Sequence, residues 1–392
     1  ICTEFGENTQ GNIRYRRIEH TWRNGKCTDC GASQEVYDRQ DDELENHAYA
    51  FIHGNWAQKI LETDNMKFDV IIGNPPYQLN VGTEKKNFAI PIYHEFIRQA
   101  IKLNPNYVIM ITPSRWFAGG RGLDEFRNEM LENSQLEIIV DYINSNDCFP
   151  GVDIAGGVSY FLWNKLHKGN CLIQTIENGK LTSEMNRPLK EKGTDVFIRF
   201  NEAISILKKV KQENEPSFSQ LVSVQTPFGF LTSFEDYQDK SFSGSIVIHT
   251  SKGIGYVSRE QVKKNVELLD KYKIYIAKAY GERIATDFWV LGKPFLGLPN
   301  TCCTQTYLVI GEFDNQKICE NVMTYIRTRF FRFLVMLKKQ TQDAMRGTYE
   351  FVPQQDFSKP WTDKELYAKY GLTANEIAFI EKMVRPMELE ND

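Results

Sequence analysis

Four adjacent residues, Asn74-Pro75-Pro76-Tyr77, carry the most specific chemistry in the chain. A conjugated amine, such as the exocyclic amine of adenine or a side-chain amide, is a poor nucleophile because its lone pair is delocalised into a π system. Two acceptors placed on its two N–H bonds draw the nitrogen toward a pyramidal shape. The lone pair then localises and can attack an electrophilic methyl group. Asn74 offers a side-chain carbonyl as one acceptor, and the main-chain carbonyl of Pro75 can serve as the second. Consecutive prolines fix φ and stiffen the turn, so both acceptors are aimed before the reaction begins. Tyr77 supplies a flat ring on which a planar target can stack. The proton leaves after attack, so no prior general base is needed, in keeping with the absence of an obvious Ser–His–Asp or paired-carboxylate constellation. The bland alternative is a Pro-Pro turn that closes a strand.

These residues need a rigid element in front of them. Phe68-Asp69-Val70-Ile71-Ile72 is a β-branched run bounded by polar residues and Gly73, the pattern of a strand buried on both faces of a parallel sheet. The carboxyl ends of such strands are where open α/β sheets bind ligands. Further strands are expected at Tyr107–Ile111, Leu136–Ile143 and Gly156–Trp163. Residues 45–61, 88–103 and 123–131 have helical spacing. Strands alternating with helices predict an α/β sheet with helices on both faces. After a loose stretch at 165–195, a helix at Asn201–Val210 leads into short β-like segments at Ile246–His249, Tyr256–Val257 and Tyr307–Ile310. A long helix at about 320–340 and a short C-terminal helix follow, so the second half reads as a separate mixed α+β domain.

The chain has 392 residues, enough for two or three domains, with 41% hydrophobic and 25% charged residues. Mean hydropathy is −0.44, and no apolar run has the length of a membrane helix. Eight cysteines are few for this length and lie mostly in apolar stretches, which suggests a reducing, cytoplasmic setting. Net charge is −4, a mild argument against a nucleic-acid binder, but it is unevenly spread. Residues 251–346 hold sixteen Lys and Arg against nine Asp and Glu, whereas residues 1–48 hold six against ten.

The sequence resembles the γ-class adenine-N6 DNA methyltransferases of bacterial restriction–modification systems that carry a C-terminal recognition domain. Phe68 to Gln78 is similar to that family's catalytic strand and loop. Residues 90–96 look like the following helix, and residues 111–117 like the next strand and its loop. Cys148-Phe149-Pro150-Gly151, followed by residues 157–162, resembles the segment whose aromatic residue packs on the other face of an extruded base. The resemblance implies methyl transfer from S-adenosylmethionine to adenine N6 in double-stranded DNA. Asn74, Pro75 and Pro76 form the catalytic loop, and Tyr77 and Phe149 stack on the base. It also implies a nuclease as a fused domain or partner, although no PD-(D/E)xK pattern is legible, and no membrane association. In one respect the sequence departs from the family. A Gly-rich cofactor loop after a first strand is expected well upstream of the catalytic loop, and residues 1–73 do not contain one. With Ile1 at the start, the expectation is a gene truncated at its 5′ end that encodes only the C-terminal part of a Rossmann-like sheet and binds cofactor weakly or not at all. Asn55 is the cofactor contact that position suggests. Two other readings are a glutamine-amide methyltransferase acting on protein and a non-catalytic DNA-specificity module.

The expected domains are a polar insertion at 1–48, the catalytic part at 49–180, a DNA target-recognition domain at 181–350 and a helical segment at 351–392. The insertion contains Cys27-Thr28-Asp29-Cys30-Gly31, a spacing at which two thiolates can clamp one Zn²⁺. His20 and His47, with Cys2 as a further candidate, are read as the remaining ligands. Unligated thiols and a redox pair are the alternatives. In the basic segment, Arg327, Arg329, Arg332, Lys338 and Lys339 are candidates for DNA phosphate contact. The competing reading is an amphipathic core helix with solvated charge.

Overall fold

The computed structural model describes residues 20–31, 34, 51–53, 67–79, 90–120, 122–281, 288–339 and 342–387. The chain divides into two compact units, residues 1–197 and 198–392.

Unit one begins with a small hairpin, β1 (Trp22–Arg23) and β2 (Lys26–Cys27). Its two-residue turn, Asn24-Gly25, has φ of 52° and 73°, the left-handed pair that a tight hairpin turn demands. Among the described residues the main sheet has six strands: β3 (Val70–Gly73), β6 (Tyr107–Pro113), β7 (Leu136–Tyr142), β8 (Val158–Asn164), β9 (Cys171–Glu177) and β10 (Lys180–Arg187). A short ladder of β4 (Gln78–Leu79) and β5 (Ile90–Pro91) stands beside them. The strand order is β10-β9-β7-β8-β6-β3. β3 runs parallel to β6 and β7 parallel to β9, but β8 is antiparallel to both β6 and β7 and lies between them. The sheet is therefore mixed. The hydrophobic runs mark each strand but carry no sign of its direction.

Helices α1 (Tyr93–Lys102) and α2 (Asp124–Glu132) cover one face of the sheet. Tyr93, Ile97 and Ala100 of α1 and Phe126 and Met130 of α2 pack with Val108, Met110, Ile139, Phe161 and Trp163 of the strands. The other face corrects the sequence reading. Val70 and Ile72 of β3 are 46% and 73% exposed, and the aligned residues Tyr107 and Ile109 are exposed and half-buried. β3 is the last strand of the sheet among the described residues, paired on one side alone. A short β-branched run reads the same whether one of its faces is covered or both are.

β9 and β10 form a hairpin that crosses residue 180, and the compact unit runs on to Phe197, whose N–H donates to the Phe117 carbonyl (2.7 Å). Phe197 also packs on Trp116 and Phe117. These two rings belong to a 3-10 turn (Ser114–Phe117) directly after β6.

Unit two starts with α3 (Glu202–Gln212). Two three-stranded sheets follow. β11 (Ile246–Thr250) pairs antiparallel with β12 (Gly253–Val257) and parallel with β15 (Thr301–Cys303). β13 (Tyr272–Ala277) pairs antiparallel with β14 (Phe295–Gly297) and β16 (Tyr307–Phe313). The long helix expected at 320–340 is two helices, α4 (Gln316–Arg327) and α5 (Arg329–Met336). Thr328 separates them with extended backbone, and its hydroxyl accepts from the Phe331 N–H, which caps α5. α6 (Asp363–Lys369) and α7 (Ala374–Met383) complete the unit, each opened by a capping box. No helix among the described residues is long and apolar enough to cross a membrane.

Phe117 is fully buried at the junction of β6, Trp116 and Phe197. Phe117→Ala is expected to cost about 3–5 kcal/mol of unit-one stability, measured as a lowered denaturation midpoint with unchanged slope.

Candidate functional site

Register places three loops at the carboxyl end of β3. Gly73 pairs with Met110 in β6, so Asn74 leaves the sheet level with Ile111. Pro113 ends β6 opposite Val158, and Tyr142 ends β7 opposite the same residue. The Asn74–Tyr77 loop, the Ser114–Phe117 turn and the 143–157 loop thus leave the same rim. The Ser114 N–H donates to the Gly157 carbonyl (3.1 Å), tying the second loop to the third.

Asn74 is exposed, and among the described residues its carboxamide makes no hydrogen bond. Pro75 is buried and Pro76 half-buried, which fixes the backbone beneath it. The far end of the loop is held by the Ile92 N–H, which donates to the Tyr77 carbonyl (3.2 Å) just before α1 begins. Tyr77 is half-buried, and its hydroxyl sits in a dry spot without a hydrogen-bond partner. Burial pushes its phenol up to about 12, and the Cys148 thiol adds to the shift. Cys148 likewise raises Tyr142, behind burial and Tyr160. The 143–157 loop therefore approaches Tyr77 through Cys148, the neighbour of Phe149.

Residues that sequence reasoning passed over hold this loop. Ser145 is buried at its centre, donates through its hydroxyl to the Val152 carbonyl (2.7 Å) and accepts from the Ile154 N–H (2.8 Å). Its own carbonyl accepts from the Cys148 N–H (3.1 Å) and the Phe149 N–H (2.7 Å). Phe149 is half-buried on this frame. Beneath the rim, the buried Ser114 hydroxyl donates to Asp141 (2.8 Å), linking the ends of β6 and β7. The run Asn144-Ser145-Asn146-Asp147 is a turn signal, but nothing local tells which of the four faces inward.

The structure brings together three of the four ligands expected of the Cys-x-x-Cys knuckle, with His53 beside them. His20, Cys27 and Cys30 are brought together with His53, all four ligand atoms lying within 4.8 Å of one another. His47 lies outside the described residues, as does Asn55, the cofactor contact expected from sequence.

The five basic residues expected to meet DNA are mostly engaged within unit two. Arg332 is fully buried, a correction to that expectation. Its guanidinium donates to the carbonyls of Arg327 (3.0 Å), Thr328 (3.2 Å) and Trp289 (3.1 Å), satisfying acceptors around the break between α4 and α5. Burial lowers its pKa to about 10. Lys339 is 5% exposed and donates to the Tyr280 carbonyl (3.2 Å), so it too holds the fold. Arg329 pairs with Glu381 (3.3 Å), and Lys338 pairs with Glu350 beside the Phe351 ring. Arg327 is half-buried, with its pKa lowered by desolvation. The sequence signal misled because these cations sit among Phe330, Phe331 and Phe333 on a helix buried nearly all round.

Residues 3–149 match the family of Eco57I restriction-modification methylases. That segment is similar to an Eco57I restriction-modification methylase domain. It includes the Asn74–Tyr77 loop and ends at Phe149. A protein of Mycoplasma pneumoniae described as an uncharacterized adenine-specific methylase is 35% identical over 187 residues, which are 45% of this chain and 44% of that protein. The chain thus spans less than half the length of this curated relative. Among solved structures, the type ISP restriction-modification enzyme LlaGI is 9% identical with a TM-score of 0.42, covering 74% of this chain and 34% of that one. The type IIL restriction-modification enzyme MmeI is 11% identical with a TM-score of 0.38, covering 80% and 56%.

Tyr77 should titrate near 12 rather than at the usual phenol value. Because the folded value is raised, the neutral ring is favoured in the fold. Stability is unaffected below the unfolded pKa and falls as pH climbs from there through about 12. NMR titration of ring-labelled tyrosine, assigned with Tyr77→Phe, checks this; an ordinary value would place the hydroxyl in solvent.

Proposed function

We propose that the protein is a DNA adenine methyltransferase of a restriction–modification system, transferring a methyl group to adenine N6. The observation that carries the reading is the exposed Asn74 at a sheet's carboxyl rim, on a proline-stiffened loop within a segment similar to an Eco57I restriction-modification methylase domain. The target amine is paired inside a duplex, so the base has to be extruded before it can be reached. Asn74 Oδ1 and the Pro75 carbonyl would each accept one of its N–H bonds. Tyr77 would stack on one face of the purine and Phe149 on the other. The dry, unpaired Tyr77 hydroxyl suits a ring that presents its face rather than a hydrogen bond. Ser145 acts as a positioning residue for Phe149 through the contacts of its carbonyl and hydroxyl.

S-adenosylmethionine is the methyl donor the reading requires, and its part is to supply an electrophilic methyl. The described residues before β3 contain no strand, Gly-rich turn and helix in order, so none is assigned to holding it. We read the sheet as the C-terminal part of a Rossmann-like methyltransferase sheet. The antiparallel β8 between β6 and β7 supports that reading. Double-stranded DNA would be gripped by unit two, where exposed Lys263 and Lys264 and half-buried Arg327 are basic side chains with open surface.

The test is tritiated methyl transfer to plasmid DNA by the full-length gene product. Asn74→Ala should cut transfer by about 100-fold or more, the scale set by loss of one preorganised polar contact. Tyr77→Ala and Phe149→Ala should each lose about 1–3 kcal/mol of base stacking. Undiminished labelling by Asn74→Ala, or label found on protein instead of DNA, would overturn the reading.

A further inference from the structure

Outside the rim, the described residues gather four ligating side chains, His20, Cys27, Cys30 and His53. We infer that these four residues form a closed, tetrahedral Cys₂His₂ zinc site that staples the β1–β2 hairpin to the turn at residues 51–53. The inference does not depend on the proposed reaction.

Distances carry the argument first. With zinc–sulfur bonds of about 2.3 Å and zinc–nitrogen bonds of about 2.0–2.1 Å, a tetrahedral site has sulfur-to-nitrogen edges of roughly 3.5 Å. Cys27 Sγ lies 3.4 Å from His53 Nε2, and Cys30 Sγ lies 3.5 Å from His20 Nδ1. Two edges thus already have the length of a metal polyhedron, and the remaining ligand pairs fall within 4.8 Å. Two thiolates and two imidazoles in a tetrahedral set select zinc over the hard cations. All four positions are taken by protein, which makes the site structural rather than catalytic.

The backbone is shaped for the same purpose. Cys27 ends β2, and the Asp29 N–H donates to its Sγ (3.4 Å), which orients the sulfur toward the cluster. Gly31, at φ 73°, turns the chain back so that its N–H reaches the Cys27 carbonyl (3.0 Å). A side chain there would be strained. His20 is braced by Trp22, stacked at 4.9 Å, and meets His53 edge-on at 4.8 Å. Cys27, Cys30 and His53 are buried.

The cluster also has a place in the fold. Cys27, Cys30 and Ile52 pack against Ile92 and Phe96, with Trp22 and Phe51 around them. Phe51 stacks on Phe96 at 5.9 Å. Ile92 is the residue whose N–H holds the Tyr77 carbonyl. A hairpin of two-residue strands has little core of its own. Binding the metal releases two thiol protons and supplies the folding energy that this core lacks.

Elemental analysis of the full chain, reconstituted with zinc and desalted, should give one zinc per chain for the wild type and for His47→Ala. Cys27→Ser and His53→Ala should lose it. His53→Cys keeps a complete ligand set if the assignment holds. After cobalt substitution it should retain one metal and show the thiolate-to-cobalt band raised by about half over the wild type, as three thiolates replace two. A metal-free wild type overturns the proposal. So does a His53→Ala chain that keeps its zinc, or a His53→Cys chain whose cobalt spectrum matches the wild type.

Discussion

One main-chain hydrogen bond, from the Ile92 N–H to the Tyr77 carbonyl, joins the two parts of unit one that matter most. On one side lies the proline-stiffened loop that presents Asn74. On the other lies α1, packed through Ile97 and Ala100 into the core with Val108 and Met110 of β6. β6 is in turn the strand that fixes the height of Asn74, through the pairing of Gly73 with Met110. The loop is therefore closed on itself, strand to loop to helix to neighbouring strand. Its geometry is set by packed elements rather than by contacts of the asparagine.

In the proposed reaction, that arrangement would aim an exposed carboxamide without a partner of its own. An unpaired Asn on an ordinary loop would lose rotamer freedom only on meeting a ligand. Here the backbone below it is already ordered by two fixed φ angles, one buried proline and the Tyr77 anchor. The facing loop uses a different device. Ser145, buried and bonded on both sides, sets Phe149 from behind, so the two aromatic residues are held by unrelated means.

Much of this was legible in the residues. The Phe68–Ile72 run ending in Gly73 marked the strand, and the strands near 107, 136 and 158 lie within two residues of their expected ends. Helical spacing found α1, α2 and α3. What the sequence did not reveal depends on contacts between distant residues. Strand direction and order are one example, since β8 inserts between β6 and β7 on the strength of pairings made far along the chain. The placing of His53 beside the knuckle is another, since it depends on the packing of residues 51–53 around Ile92 and Phe96. The break at Thr328 could have been inferred, because a threonine three residues before Phe331 can cap, but the apolar periodicity on either side masked it. Arg332 misled for the opposite reason, being a charge whose partners are backbone carbonyls that no pattern of side chains announces.

The same break has a wider consequence. The first two N–H groups of α5, at Arg329 and Phe330, donate to the two carboxylate oxygens of Asp363 (3.0 and 2.9 Å). Phe330 stacks on Tyr370 at 4.9 Å, Phe333 meets Phe379 at 5.8 Å, and Tyr325 donates to the Pro353 carbonyl (2.7 Å). The last stretch of chain is thus an internal strut of unit two. In nature or in the laboratory, an exchange of this unit between proteins has to take residues 351–387 with it, because a joint made at 350 would leave the centre of the transplanted piece without its keystone.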